Sequence, residues 1–184
     1  MVKLDPEAMA AKFNLTVEDL PENDALLHCD RYLLDQRKAG RLPVISIEGS
    51  GFFVDWQRRL LLPCDDNRHP GLDIEKMVLD RSYTRMFFFY DRNKRQQIEI
   101  NPAMTTVPEN VVGIEVPAIE FLDPYALALQ YGWQQQMGWF DLHPVQLNLK
   151  ARTVPLEQTI IPDLVRSNTS RHQMKRKKGF GLLR

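Results

Sequence analysis

Apolar positions change their spacing several times along the chain, and each change marks an element. In "PEAMAAKF", Met9 and Phe13 stand four apart, a helical spacing, behind Asp5 as N-cap and Pro6 in the first turn. "NLTVEDLPEN" breaks this helix at Asn14 and again at Pro21. Asn23 caps a second predicted helix, "DALLHCDRYLLDQRKA". Leu26, Cys29, Leu33 and Leu34 give it an apolar stripe, Arg37 and Lys38 suit its last turn, and Gly40 ends it.

The period then shortens. Val44 to Ile47 is a β-rich run, "EGSG" supplies a turn, 52–56 returns as a strand and "LLLP" follows, which predicts a short antiparallel meander. "CDDNRHPGLD" has loop chemistry, and "IEKMVLDR" reads as one or two helical turns. Residues 86–90 and 97–100 form a hairpin around "DRNKR"; Ile98 and Ile100 alternate with Gln97 and Glu99, so one face is apolar. "VVGIEVPAIEF" adds a strand that Pro117 bends or places at an edge. "LDPYALALQYGW" is a helix capped by Asp123, opened by Pro124 and stopped by Gly132, with Leu122 and Leu127 at the positions of a hydrophobic staple. Beyond it the chain reads as extended segments and prolines without a strong period.

No internal repeat or low-complexity linker divides the body. The predicted fold is α+β: N-terminal helices packed on an antiparallel sheet of five or six strands, one further capped helix, and a flexible basic tail. The predicted organisation is one domain over 1–165 and a tail over 166–184.

Hydrophobic residues make up 43% and charged residues 26% of the 184, the balance of a water-soluble globular chain. Cys29 and Cys64 are too few for a disulfide framework. "MVKLDPEAMAAKF" holds no apolar signal core. The longest apolar run, "MFFFY", falls far short of the roughly 20 residues of a membrane span. These features predict a cytoplasmic protein with reduced thiols and no membrane partner.

Charge alters the picture at one end. Seven of the 24 Lys and Arg residues, and none of the 24 Asp and Glu, lie from Arg166 onward, so the rest of the chain carries a formal charge of −7. Arg171 and the consecutive Lys175, Arg176, Lys177 and Lys178 form the cluster, with Gly179 and Gly181 beside it. Such an arm contacts phosphates without reading sequence. A solvated end and a tail folded back on the acidic body are the bland alternatives.

Other candidate chemistry is sparse. Cys64, Asp65, Asp66, His69 and Asp73 crowd one loop and are all of ligand type, yet no second cluster completes a zinc or calcium pattern. Asx turns explain them more simply. His28 and Cys29 are helical neighbours whose side chains diverge, so they make no nucleophile pair. "EGSG" lacks the third glycine and the helix of a dinucleotide site. "AAKFNLTVEDL" reads as a helical hairpin rather than a DNA-reading one, because Pro21 and four acidic residues spoil the second helix. Phe87 to Phe89, Phe52, Phe53 and Trp56 offer aromatic stacking platforms or, more simply, alternating core positions. No catalytic residue, metal ligand or cofactor is assigned.

"LPVISIEGSGFFVDW", followed later by "LDPYALALQYG", resembles small uncharacterised accessory proteins carried on bacterial mobile elements. The likeness spans about the middle two-thirds of the chain and includes no catalytic motif. It implies an accessory role near DNA transfer or maintenance genes.

The expected function is that of a non-catalytic accessory protein. Its acidic body binds a protein partner, and Arg171, Lys175, Arg176, Lys177 and Lys178 bind nucleic acid non-specifically. Two readings compete with it. One is a small metal-dependent hydrolase built on Cys64, Asp65, Asp66, His69 and Asp73. The other is a structural subunit of a larger assembly, exposing an apolar patch around Phe52, Phe53 and Trp56.

Overall fold

Alternation in the first meander builds the first sheet. Strands β1 (Val44–Ile47), β2 (Ser50–Asp55), β3 (Leu60–Pro63) and β4 (Leu72–Asp73) pair antiparallel in sequence order. The computed structural model describes residues 5–20, 29–136 and 138–180. Register places Ile45 opposite Phe52 and Val54 opposite Leu61, which in turn faces Leu72. All five are out of contact with water, so one face of the sheet is core. Glu48 and Gly49 make the β1–β2 turn, both at positive φ (50° and 81°), the twist a two-residue hairpin needs. Gly71 (φ 85°) is required by space as well: a Cβ there would lie 3.0 Å from the Leu61 carbonyl oxygen. Strand β9 (Asn148–Lys150) joins the other edge, running parallel to β1 with Leu149 opposite Ile45.

The second sheet draws on β5 (Val78–Leu79), β6 (Arg85–Asp91), β7 (Gln96–Ile98), β8 (Val111–Pro117) and β10 (Arg152–Val154). Its order is β10-β8-β6-β5, with β7 paired to β6. Met86, Phe88 and Tyr90 of β6 are buried at alternate positions, as a half-buried strand requires. In β8, by contrast, Val111 and Val112 are buried next to each other, and Ile114 and Val116 follow.

The described residues fall into two compact units. One takes those up to Phe87 together with Glu115–Arg152; the other takes Phe88–Ile114 and those from Thr153 on. The helices of the first unit are α1 (Pro6–Phe13), α2 (Cys29–Lys38), α3 (Ile119–Leu122), α4 (Pro124–Tyr131) and α5 (Trp139–Leu142). Asp5 caps α1 by accepting the Glu7 N–H. Asp123 caps α4 through the Ala126 N–H, with Leu122 and Leu127 both buried at its start. Asn23, the expected cap of the second helix, lies outside the described residues, as do Leu26 and His28.

The α+β class stands, with two corrections. Among the described residues there are two five-stranded sheets, mostly antiparallel, rather than one of five or six strands. The N-terminal helices do not form a layer on a sheet. Leu33 of α2 packs with Val145 and Leu147, ahead of β9, and with Tyr125 of α4 and Phe140 of α5. This stripe meets later helices because β9 carries the chain back to β1. Residues 166–180, the basic segment, lie on the helix α6 (Ile161–Phe180).

Asp80 organises the turn between β5 and β6. Its carboxylate accepts the Ser82 hydroxyl at 2.6 Å and the N–H groups of Thr84 and Arg85 at 3.1 and 3.2 Å. These bonds, the Ser82 hydroxyl foremost, hold its pKa below the ordinary carboxylate value. A carboxylate depressed in this way stabilises the fold above the pH at which it titrates in the unfolded chain, about 4. That contribution is lost as pH falls through the lower folded value. Asp80→Asn is therefore expected to lower Tm near neutral pH, with the gap from wild type closing as pH drops below about 4. Melting both proteins across acid pH checks this; a gap that persists into strong acid would refute it.

Candidate functional site

Helix α6 begins where Thr159 Oγ1 accepts the Ile161 N–H, with Asp163 in its first turn. Ile161 is fully buried and packs with Val111 and Leu156; Val165, one turn on, joins the same cluster beside Phe89, Ile98 and Met104. Two turns on, Asn168 is 7% exposed and its Nδ2 donates to the carbonyls of Pro102 and Met104, both at 2.8 Å. Positions 161, 165 and 168 share one face, so the first half of α6 is tied down along a stripe. The stripe ends at Thr169, whose hydroxyl lies 3.5 Å from the Thr105 carbonyl. Residues 170–173 are exposed, Arg171 among them. Lys175, Arg176, Lys177 and Lys178 follow on the same helix and fill a little over one turn. After Asp163 the helix has no acidic residue.

The loop 64–73 gathers its ligand-type residues in sequence but employs them locally. Asp66 Oδ1 accepts the Arg68 N–H at 2.9 Å, His69 Nδ1 accepts the Gly71 N–H at 3.0 Å, and Asp73 caps the turn Ile74–Lys76. Among the described residues, no three His, Cys, Asp or Glu side chains are grouped closely enough to hold a metal ion. The arrangement is that of Asx turns. Cys64 is exposed, yet partial burial and then the neighbouring Asp65 carboxylate push its thiol pKa up. The thiolate is the reactive form, so Cys64 is expected to alkylate more slowly with iodoacetamide at mildly alkaline pH than an unstructured peptide thiol does. Site-resolved mass spectrometry measures this; an equal or faster rate would contradict the assignment.

The aromatic residues of β2 and β6 take the alternating core positions that were the simpler reading. Phe52 and Phe88 are buried, and of the group only Phe53 counts as exposed. A different ring array lies later in the chain. Tyr131 stacks on Trp133 at 4.8 Å, Trp133 meets Trp139 at 5.0 Å, and Trp139 meets His143 at 4.2 Å. The rings are two, six and four residues apart, across Gly132 and Gly138, so no single period runs through them.

Within the first unit, α2, α4 and the β2–β3 turn line a cleft of about 600 Å³. Two arginines stand in its wall. Arg37 grips Asp123 with Nε and Nη2, the shortest contact being 2.9 Å, and Asp123 is wholly buried. Arg59 lies on the indole of Trp56, its guanidinium carbon 3.4 Å from the ring centroid. Arg59 Nη2 and Trp56 Nε1 both donate to Gln130 Oε1, at 2.9 and 2.8 Å. Sequence reading missed this cleft. Its one local signal was the aromatic and cationic run "WQRR" at a turn.

No described helix is long and apolar enough to cross a membrane. No family model matches the chain, and no similar curated protein or solved structure was found, so its function is read from these residues and their geometry.

Proposed function

We propose that this is a non-catalytic accessory protein whose helix α6 binds nucleic acid through phosphate contacts, while its acidic body engages a protein partner. The observation that carries the reading is the division of α6. Its first half is anchored by Ile161, Val165 and Asn168, and its second half holds Arg171, Lys175, Arg176, Lys177 and Lys178 with no acidic residue among them. An anchored helix presents its cations with less ordering entropy to lose on binding than a free tail has. The body's formal charge of −7 repels phosphate, which confines contact to the helix. A cytoplasmic location and a role near DNA, as the resemblance implies, belong to the same reading.

A bland role competes with it: cations near the C-terminal end of a helix also offset its dipole. Titrating labelled duplex DNA and an RNA hairpin with the full chain across salt separates the two. Binding should weaken steeply with salt, with a log–log slope of about −0.9 per phosphate neutralised on duplex DNA. Absence of binding to either probe at low salt would leave the cations only the dipole role.

A further inference from the structure

We infer that the cleft of the first unit is a binding site for a small organic oxyanion, a carboxylate or phosphate monoester, held by Arg59. Arg59 ends the four-residue turn between β2 and β3 at φ 59°, the left-handed position that Arg95 also takes, at φ 56°, in the turn between β6 and β7. The Trp56 ring lies against its flat face and Gln130 meets its Nη2. Gln130 Oε1 already accepts two donors, so it has no lone pair left to offer. Glu75 approaches Nε only to 3.8 Å and is 72% exposed, a screened pair of small value. Nη1 remains: it is buried and has no hydrogen-bond partner among the described residues. An unsatisfied buried donor destabilises the fold, more so when charged, and calls for an explanation.

The other charges of the cleft narrow the ligand. Arg37 is neutralised by Asp123, so it adds little attraction. Asp55 also lines the cleft; its carboxylate accepts the Arg58 N–H at 3.1 Å and lies 3.6 Å from Arg58 Nε. A carboxylate there disfavours a polyanion and admits a ligand with one oxyanion. Leu42, Ala126 and the half-exposed Leu129 offer an apolar wall to the rest of the molecule. A volume of about 600 Å³ suits a small molecule. Nη1 is closed to water, so the Arg59 side chain must turn that atom toward the cleft as the oxyanion binds.

The test follows the indole N–H resonance of Trp56 in the full chain, because that proton bonds the same oxygen as Arg59. Benzoate and phenyl phosphate are the probes, one for each oxyanion, with benzyl alcohol as the neutral control and sodium chloride at matched ionic strength. At least one anion should move the Trp56 signal saturably, with an affinity about tenfold or more above the alcohol's. The stronger of the two names the oxyanion. Gln130→Glu places a competing carboxylate on Arg59 and should weaken binding about tenfold or more while raising Tm. Arg59→Lys should weaken it similarly, because an ammonium lacks the planar fork. The inference fails if Trp56 ignores both anions, if the alcohol binds as well, or if Gln130→Glu binds like wild type. Gln130→Glu decides the matter even where Arg59→Lys does not fold.

Discussion

Asp123→Ala is expected to destabilise the protein by about 3–5 kcal/mol. The carboxylate does two jobs at once. It pairs with Arg37, whose side chain is only 11% exposed, and it accepts the Ala126 N–H that opens α4. Alanine leaves a nearly buried guanidinium without its counter-charge and removes the cap, which alone is worth about 1 kcal/mol. Asparagine separates the two jobs. It caps as well as aspartate but cannot neutralise Arg37, so Asp123→Asn should lie between wild type and alanine. The double variant Arg37→Met/Asp123→Asn should cost less than the sum of its single variants, because removing both charges leaves neither stranded. Urea unfolding followed by circular dichroism and tryptophan fluorescence gives all four values. An Asp123→Ala loss below about 1 kcal/mol would mean that the pair is solvated and the cap is its only contribution.

The same residue shows where sequence reading succeeds and where it stops. Asp123, Pro124 and Gly132 punctuate α4 through bonds to near neighbours, so its limits were legible from local chemistry alone. β1 was legible for the same reason, because its alternation and its turn are contiguous. The partner of Asp123 was not, since Arg37 lies 86 residues away and nothing local announces it. Distance also hid β9, whose three residues become a strand only by pairing with β1 about a hundred positions earlier. The cleft fails to show for a related reason: Trp56 and Arg59 are neighbours in sequence, but Gln130, which fixes them both, is more than seventy residues on.

Helix α6 was hidden by its composition. A search for apolar periodicity finds Ile161 and Val165 and then loses the stripe at Asn168, which is polar. Asn168 nevertheless continues the buried face, because the carbonyls of Pro102 and Met104 satisfy its amide. Past it, Lys and Arg are good helix formers but leave no periodic trace. A charge run was therefore visible where a helix was not. This bears on what the cations can do: Arg171 lies on the same helix about one turn beyond the bonds of Asn168.

That anchoring allows a sharper test than truncation, which would also remove Asn168 and its bonds. Replacing Lys175, Arg176, Lys177 and Lys178 together by glutamine keeps side chains of similar helix propensity and deletes four charges. Helix content and Tm should change little, since the dipole effect is worth at most about 1 kcal/mol per exposed cation and is screened by salt. DNA affinity should fall far more. If these four cations hold phosphates as proposed, affinity should drop about a thousandfold at roughly 0.1 M salt without them, and the log–log salt slope should shrink by 3 to 4 units, about 0.9 per cation. Fluorescence anisotropy with one labelled duplex, read across a salt series for both proteins, yields affinity and slope together. If the glutamine variant keeps its helix and binds DNA as tightly as wild type, the phosphates are held elsewhere and α6 is no nucleic-acid arm. If both affinity and slope collapse while the fold persists, the cations of α6 hold the phosphates. Neutralising Arg171 as well should then remove about one further unit of slope, because that residue sits on the last exposed turn before the cluster.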